Sequence, residues 1–158
     1  MRLPRKEKVF SNLLSFVVCL ILLCRFSEPV IAVNNPELLP DHPTPVIDLA
    51  RTLSESQRKD LEDSLNEYER ETGWKIRFLS QYEKTPGLAL KEFWGLDETS
   101  LLVIADPRGG NLLNFNVGEA FFALMPRIFW VELQTRFGNQ FYVRDYGEDG
   151  AVLEAISS

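Results

Sequence analysis

Past residue 32 the chain contains no cysteine, and His42 is the single histidine among all 158 residues. Those two shortages remove whole classes of chemistry. Without thiols, the body of the protein forms no disulfide, no thiolate nucleophile and no Cys-ligated metal site. With one imidazole there is no His pair for zinc, and His42 lies among prolines, where a solvated residue is expected rather than one held for a catalytic relay. Long apolar runs are also missing. The longest, Leu13 to Cys24, has 12 residues, short of the roughly 20 that a membrane-spanning helix needs. Basic residues are few. Of 17 basic and 23 acidic side chains, five and two fall in residues 1–32, which leaves 12 against 21 and a net charge of −9 with His42 neutral. Phosphate backbones repel so acidic a body, so nucleic acid is excluded as a partner.

What is present begins with an address. Arg2, Arg5, Lys6 and Lys8 stand against Glu7, the apolar run follows, then Pro29 and Val30-Ile31-Ala32. Basic end, short apolar core and small residue at the cut make an export signal. The expected organisation is a signal or lumenal targeting segment over 1–32, cleaved after Ala32 together with Cys19 and Cys24, an extended Pro-rich lead-in over 33–45, and one domain over 46–158. Membrane contact is expected only through an uncleaved leader, which would make the chain a signal-anchored, membrane-tethered domain.

The domain alternates strand and helix patterns. Val46 to Ala50 reads as a strand. Ser54 with Gln57 forms a capping box, Leu61, Leu65 and Tyr68 recur on one helical stripe, and Gly73 supplies a left-handed stop. Lys75 to Leu79 is a second strand. Thr85-Pro86 reads as N-cap and first-turn proline of a helix ending at Gly95. Leu101 to Ala105 is apolar throughout, as a strand covered on both faces is. It turns through Asp106 to Asn111 into Leu112–Val117, an antiparallel return. Pro126 opens a helix with Phe129, Leu133 and Phe137 on one face. Phe141 to Val143 is a short aromatic segment, and a last helix starts near Glu148 with Val152 and Ile156 inward. The pattern predicts an α/β fold, a three-layer sandwich with a mixed sheet of about four strands and helices on both faces.

The order of Val46-Ile47-Asp48, Leu53-Ser54, Thr72-Gly73, Phe93-Trp94-Gly95, Leu101 to Ala105 and Asn116-Val117-Gly118 resembles the TPM domain family. Asn34 to Pro40, Thr85 to Ala89, Ala105-Asp106-Pro107, Gly110 to Gly118 and Tyr146 to Asp149 are similar to its thylakoid-lumen, fifteen-kilodalton branch in chloroplasts. The resemblance implies a location in the chloroplast thylakoid lumen, or the lumen or periplasm of a cyanobacterium. It implies a protein partner in or at the thylakoid membrane and an auxiliary part in photosystem II assembly or repair. For a related branch it also implies acid phosphatase activity. A plastid transit segment would precede the apolar core, and eight residues precede Val9. Either the sequence starts downstream of its natural beginning, or the source has no plastid import step.

Asp48 and Asp106 are the sharpest candidates for chemistry, since each ends an apolar strand and strand ends are where α/β sheets place ligands. Two carboxylates could hold Ca²⁺ or Mg²⁺ through oxygen, and a metal-dependent acid phosphatase would use them. The ordinary alternative is that Asp106-Pro107 starts a turn and Asp48 caps a local amide. Asn111, Asn114, Asn116 and Glu119 add oxygens near the hairpin but suit a solvated strand face. Asp145 to Gly150 lacks the bidentate glutamate of a calcium loop, and Gly109-Gly110 lacks the trailing Gly-Lys-Ser/Thr of a phosphate loop. Trp74, Phe93, Trp94, Phe121, Phe122, Phe129 and Trp130 are expected mostly in the core. Glu119 to Met125 is an apolar stretch that is hard to bury.

Overall fold

A computed structural model describes residues 33–158. The signal segment expected over 1–32 lies outside the described residues. The elements in chain order are β1 (Val46–Asp48), α1 (Glu55–Thr72), β2 (Lys75–Ser80), α2 (Ala89–Phe93), β3 (Ser100–Ala105), β4 (Leu113–Val117), α3 (Arg127–Phe137) and α4 (Gln140–Ser157). Short 3₁₀ turns occupy Pro36–Leu38 and Glu119–Ala123. The sheet runs β1-β2-β3-β4, parallel across the first two pairs and antiparallel across the last.

Local chemistry sets α1. Ser54 Oγ accepts from the Gln57 amide while the Gln57 side chain accepts from the Ser54 amide, and Gly73 closes the helix at φ 77°. Leu61 and Leu65 are buried on its inner stripe, whereas Tyr68, expected to join them, is exposed. Alternation along the strands sorts side chains to two faces. Val46, Phe78, Val103 and Leu113 pack with Leu61, Leu65, Leu133 and Val152 from α1, α3 and α4. Ile47, Leu79 and Leu102 pack on the other face with Leu90 and Trp94. The three layers are therefore unequal, with one face carrying three helices and the other only the short α2. Since β1, β2 and β3 advance in one direction while α1 and α2 cover opposite faces, the two parallel crossovers have opposite hands. One of them departs from the right-handed rule.

Three expectations need correction. Thr85-Pro86 does not open α2. Gly87 follows in the left-handed region at φ 62° and bridges to Asn34, so the helix starts only at Ala89. The lead-in is not merely extended, because its backbone is tied down. Asn35 N donates to Pro86 O, Leu88 N donates to Val33 O, and Trp94 Nε1 donates to the Thr44 carbonyl at 2.7 Å. Leu39 packs on the thinner face. Phe141 to Val143 is helical, because Asn139 accepts from the Phe141 and Tyr142 amides and caps α4 ahead of them. A break at Gly147 (φ 81°) then separates this turn from the helix expected near Glu148.

At the opposite sheet end, Asp97 braces the entry to β3. The Lys75 ammonium at 2.6 Å, then the Thr99 and Ser100 hydroxyls, hold its carboxyl well below the usual carboxylate range. A depressed folded-state pKa contributes stability above the unfolded value of about 3.9 and loses it as pH falls below that value. Urea midpoints should thus fall more steeply below about pH 4 in wild type than in Asp97→Asn; parallel curves would show that the bond adds nothing.

Candidate functional site

The carboxyl-terminal edge of the parallel strands carries both sequence candidates. Asp48 ends β1 and pairs in register with Ser80, which pairs with Ala105 just before Asp106. One strand therefore lies between them, and at about 4.8 Å per strand their Cα atoms are about 10 Å apart. Asp48 turns its carboxylate back onto its own loop. Oδ1 accepts from the Thr52 amide at 2.9 Å and the Thr52 hydroxyl at 3.0 Å, Oδ2 accepts from the Leu53 amide at 3.0 Å, and the buried Ser80 hydroxyl also donates to Oδ1. Ser80 Oγ in turn accepts from Ala50 N. The loop so gathered carries Arg51 at φ 56°, a left-handed conformation uncommon for a side chain with a Cβ. Asp106 starts the turn into β4, with Oδ1 accepting from Arg108 N and its carbonyl from Gly109 N. Gln81 Nε2 approaches its other oxygen at 3.5 Å.

Beside Asp48 is a cleft of about 290 Å³ bordered by His42, Thr44, Arg58 and Glu62. The sequence put His42 in the lead-in with no tie to Asp48; only the docking of that lead-in brings it to the same cleft. Arg58 is held by Glu55 at 2.5 Å and Glu62 at 3.2 Å. Among the described residues, no group of three or more His, Cys, Asp or Glu side chains is placed to hold a metal ion. The other sequence candidates resolve into local structure. Asp149 accepts from Gln57 Nε2 at 2.8 Å, which ties α4 to α1 and lowers the Asp149 pKa. Asn111 holds the Gln134 carbonyl and the Leu113 amide, and Asn114 accepts from Gln134 Nε2.

A larger concavity than this cleft lies on the heavily covered face, and sequence reading missed it. Between α1 on one side and α3 with the end of α4 on the other, a groove of about 670 Å³ reaches down towards the sheet. Its floor is Ile76, Leu101, Val103 and Phe115, and its walls include Leu61, Leu65, Phe121, Trp130, Leu133 and Ile156. Asp60 and Glu154 are the charged groups at its edge. That volume and mostly apolar lining fall within the range of ligand and peptide sites. The aromatic residues were expected in the core, and Phe121 and Trp130 are there, with ring centroids 5.9 Å apart. They are also groove wall, a double role that periodicity cannot reveal.

Comparisons with known proteins agree with this architecture. The chain is 44% identical over 132 residues to the thylakoid lumenal 15.0 kDa protein 2, chloroplastic, of Arabidopsis thaliana. That match covers 83% of this chain and 59% of the relative's length, so the chain spans somewhat over half of the curated protein it matches. A solution NMR structure of the N-terminal domain of a protein from P. gingivalis superposes with a TM-score of 0.62 at 17% identity, covering 80% of this chain and 89% of that one, which shows a shared fold. No helix among the described residues is long and apolar enough to cross a membrane. Residues 46–157 match the TPM domain family, and the chain belongs to it.

Proposed function

We propose that the chain is an auxiliary factor of the thylakoid lumen that acts by holding a protein partner, in photosystem assembly or repair, rather than by catalysis. The observation that carries this reading is the open apolar groove over the sheet. A concave apolar site rimmed by Asp60 and Glu154 suits an apolar segment of a partner flanked by basic residues, laid between two helices. The lumenal name of the Arabidopsis relative supports the compartment. The strand-end carboxylate of Asp48 is meanwhile committed to backbone donors, which weighs against its use as a nucleophile or base.

Pull-down with the tagged full chain from detergent-solubilised thylakoids should recover a photosystem subunit. Ser64→Trp, at an exposed position on the groove edge, should reduce recovery by about tenfold, as blocking a central pocket does. Equal recovery by the variant, or no photosystem subunit with wild type, overturns the proposal. One observation favours a second reading, a Ca²⁺- or Mg²⁺-dependent acid phosphatase: Asp48 and Asp106 share one sheet edge. It requires either cation to raise the denaturation midpoint of the wild-type chain.

A further inference from the structure

The polar side chains of the groove are already in use. Gln57 accepts from Ser54 N and donates to Asp149. Ser64 Oγ donates to the Asp60 carbonyl at 2.8 Å, and the Ser157 and Ser158 hydroxyls donate to the Glu154 carbonyl. The floor residues Ile76, Leu101 and Val103 stand on β2 and β3, each ladder-bonded on both sides. The walls are helices, whose amides bond along their own axes. Below the rim, one donor is spare. Trp130 is 7% exposed in the wall, and its indole nitrogen is the one buried side-chain nitrogen or oxygen without a partner among the described residues. That inventory decides which conformation can lie there. An extended chain would bring a row of backbone groups to a single buried donor, and unpaired groups in an apolar trough are penalised. A helix pairs its own backbone and presents only side chains.

The rim sets the charge. Asp60 and Glu154 line the groove, and among the described residues neither carboxylate has a salt-bridge partner. No lysine, arginine or histidine lines it. The nearby guanidinium groups are engaged: Arg58 with Glu55 and Glu62, Arg70 with Glu67, Arg127 with Glu119, and Arg136 over the Phe137 ring. Lys59 falls on the far side of α1 from Leu61, Leu65 and Tyr68 on a helical wheel. Apolar contact is left incomplete as well. Tyr68 continues the Leu61–Leu65 stripe yet is 41% exposed, and Met125, in the lining ahead of α3, is 38% exposed. Taking the groove as the partner site proposed above, we infer that its occupant is a basic amphipathic helix. Its apolar side chains, at i, i+3 or i+4 and i+7, lie between α1 and α3. Lysine or arginine beyond that stripe reaches Asp60 and Glu154. Tyr68 and Met125 supply an aromatic anchor and an adaptable side chain for the apolar face.

Fluorescence anisotropy with the full chain tests it. The probe is an alanine-based helical peptide with leucine at i, i+3, i+4 and i+7 and lysine at both ends. It should bind about tenfold more tightly than the same peptide with glutamate ends, and about tenfold more tightly than one with proline at its centre. Asp60→Asn/Glu154→Gln, at two exposed positions, should erase most of the first difference and keep the second. Ser64→Trp should weaken the lysine peptide about tenfold. Equal binding of the proline peptide overturns the helical occupant, and equal binding of the glutamate peptide overturns its basic character. Failure of the lysine peptide to bind wild type overturns both. Self-association of the chain that Ser64→Trp abolishes gives the groove to a second copy and overturns the inference too. The pull-down separates these failures from failure of the groove itself. A photosystem subunit lost with Ser64→Trp keeps the partner site and removes only its basic helical occupant; recovery indifferent to Ser64→Trp removes the site as well.

Discussion

Replacing Asp48 with alanine should lower the unfolding free energy by about 3 kcal/mol, because several buried donors lose their acceptor together. The Thr52 and Leu53 amides, the Thr52 hydroxyl and the Ser80 hydroxyl all end on its two oxygens. Thr52, Leu53 and Ser80 are buried, so water cannot substitute without opening the loop, and each orphaned donor costs about 1–3 kcal/mol. Relaxation of the loop recovers part of that sum. Denaturant titration with and without Ca²⁺ gives the answer in two arms. If the carboxylate serves these internal donors alone, the wild-type midpoint is the same in chelator and in Ca²⁺, and the loss in Asp48→Ala is equal in both. A Ca²⁺-dependent rise in wild type that disappears in both Asp48→Ala and Asp106→Asn would instead support the metal reading. A loss under about 1 kcal/mol would sink the structural account of this residue.

The Asp48 network shows what a sequence can and cannot convey. An aspartate four residues before Thr52 is a recognisable local cap, since it depends on chain neighbours only. Ser54, Gln57 and Gly73 were legible for the same reason: their bonds close within one turn. The long-range members of the same assembly left no local trace. Ser80 reaches Asp48 across 32 positions and Thr44 accepts from Trp94 across 50. Docking of the lead-in follows from the second of these bonds and from Gly87, so a proline-rich stretch that looked merely extended became part of the thinner layer. Phe141 to Val143 misled for the opposite reason. Aromatic residues favour strands weakly, and the Asn139 cap overrode that preference.

Faces were the least legible property. Periodicity identifies a buried stripe but not which side of the sheet receives it. α1 and α2 therefore looked alike in the sequence yet cover opposite faces. With only five residues in α2, the second crossover covers little of its face, while α1, α3 and α4 crowd the other and leave a groove between them. The groove is a consequence of that spacing, and no residue motif encodes it. An exposed apolar patch at and before α3 was half visible: Glu119 to Met125 reads as hard to bury, and Leu124 and Met125 are exposed, although Phe121 in the same stretch is core. Its continuation through Ile128 and Val131 was hidden because the same helix also satisfies the core.

Gly118→Ala should cost about 2 kcal/mol, although alanine is allowed at its backbone angles of φ −61° and ψ 147°. The obstacle is space. A Cβ at Gly118 would run into the carbonyl of Glu98 and, at 2.7 Å, the carbonyl oxygen of Ser100, both rigid backbone. The same approach carries two hydrogen bonds, Gly118 N to Ser100 O at 2.8 Å and Ala120 N to Glu98 O at 3.0 Å. Admitting a methyl group means parting these segments, stretching both bonds and shifting Phe121, whose ring lies 4.6 Å from Trp74. Denaturant midpoints should fall with an unchanged slope, and near-ultraviolet circular dichroism should report the displaced tryptophan environment. Gly110 supplies the control. It has nothing within 4 Å of its Cβ position and no left-handed φ, so Gly110→Ala should stay within about 0.5 kcal/mol of wild type. Equal effects at the two glycines would mean that chain entropy, not the close approach at Glu98, governs this corner. The two residues are indistinguishable in the sequence, and only the packing of the hairpin end against the turn before β3 separates them.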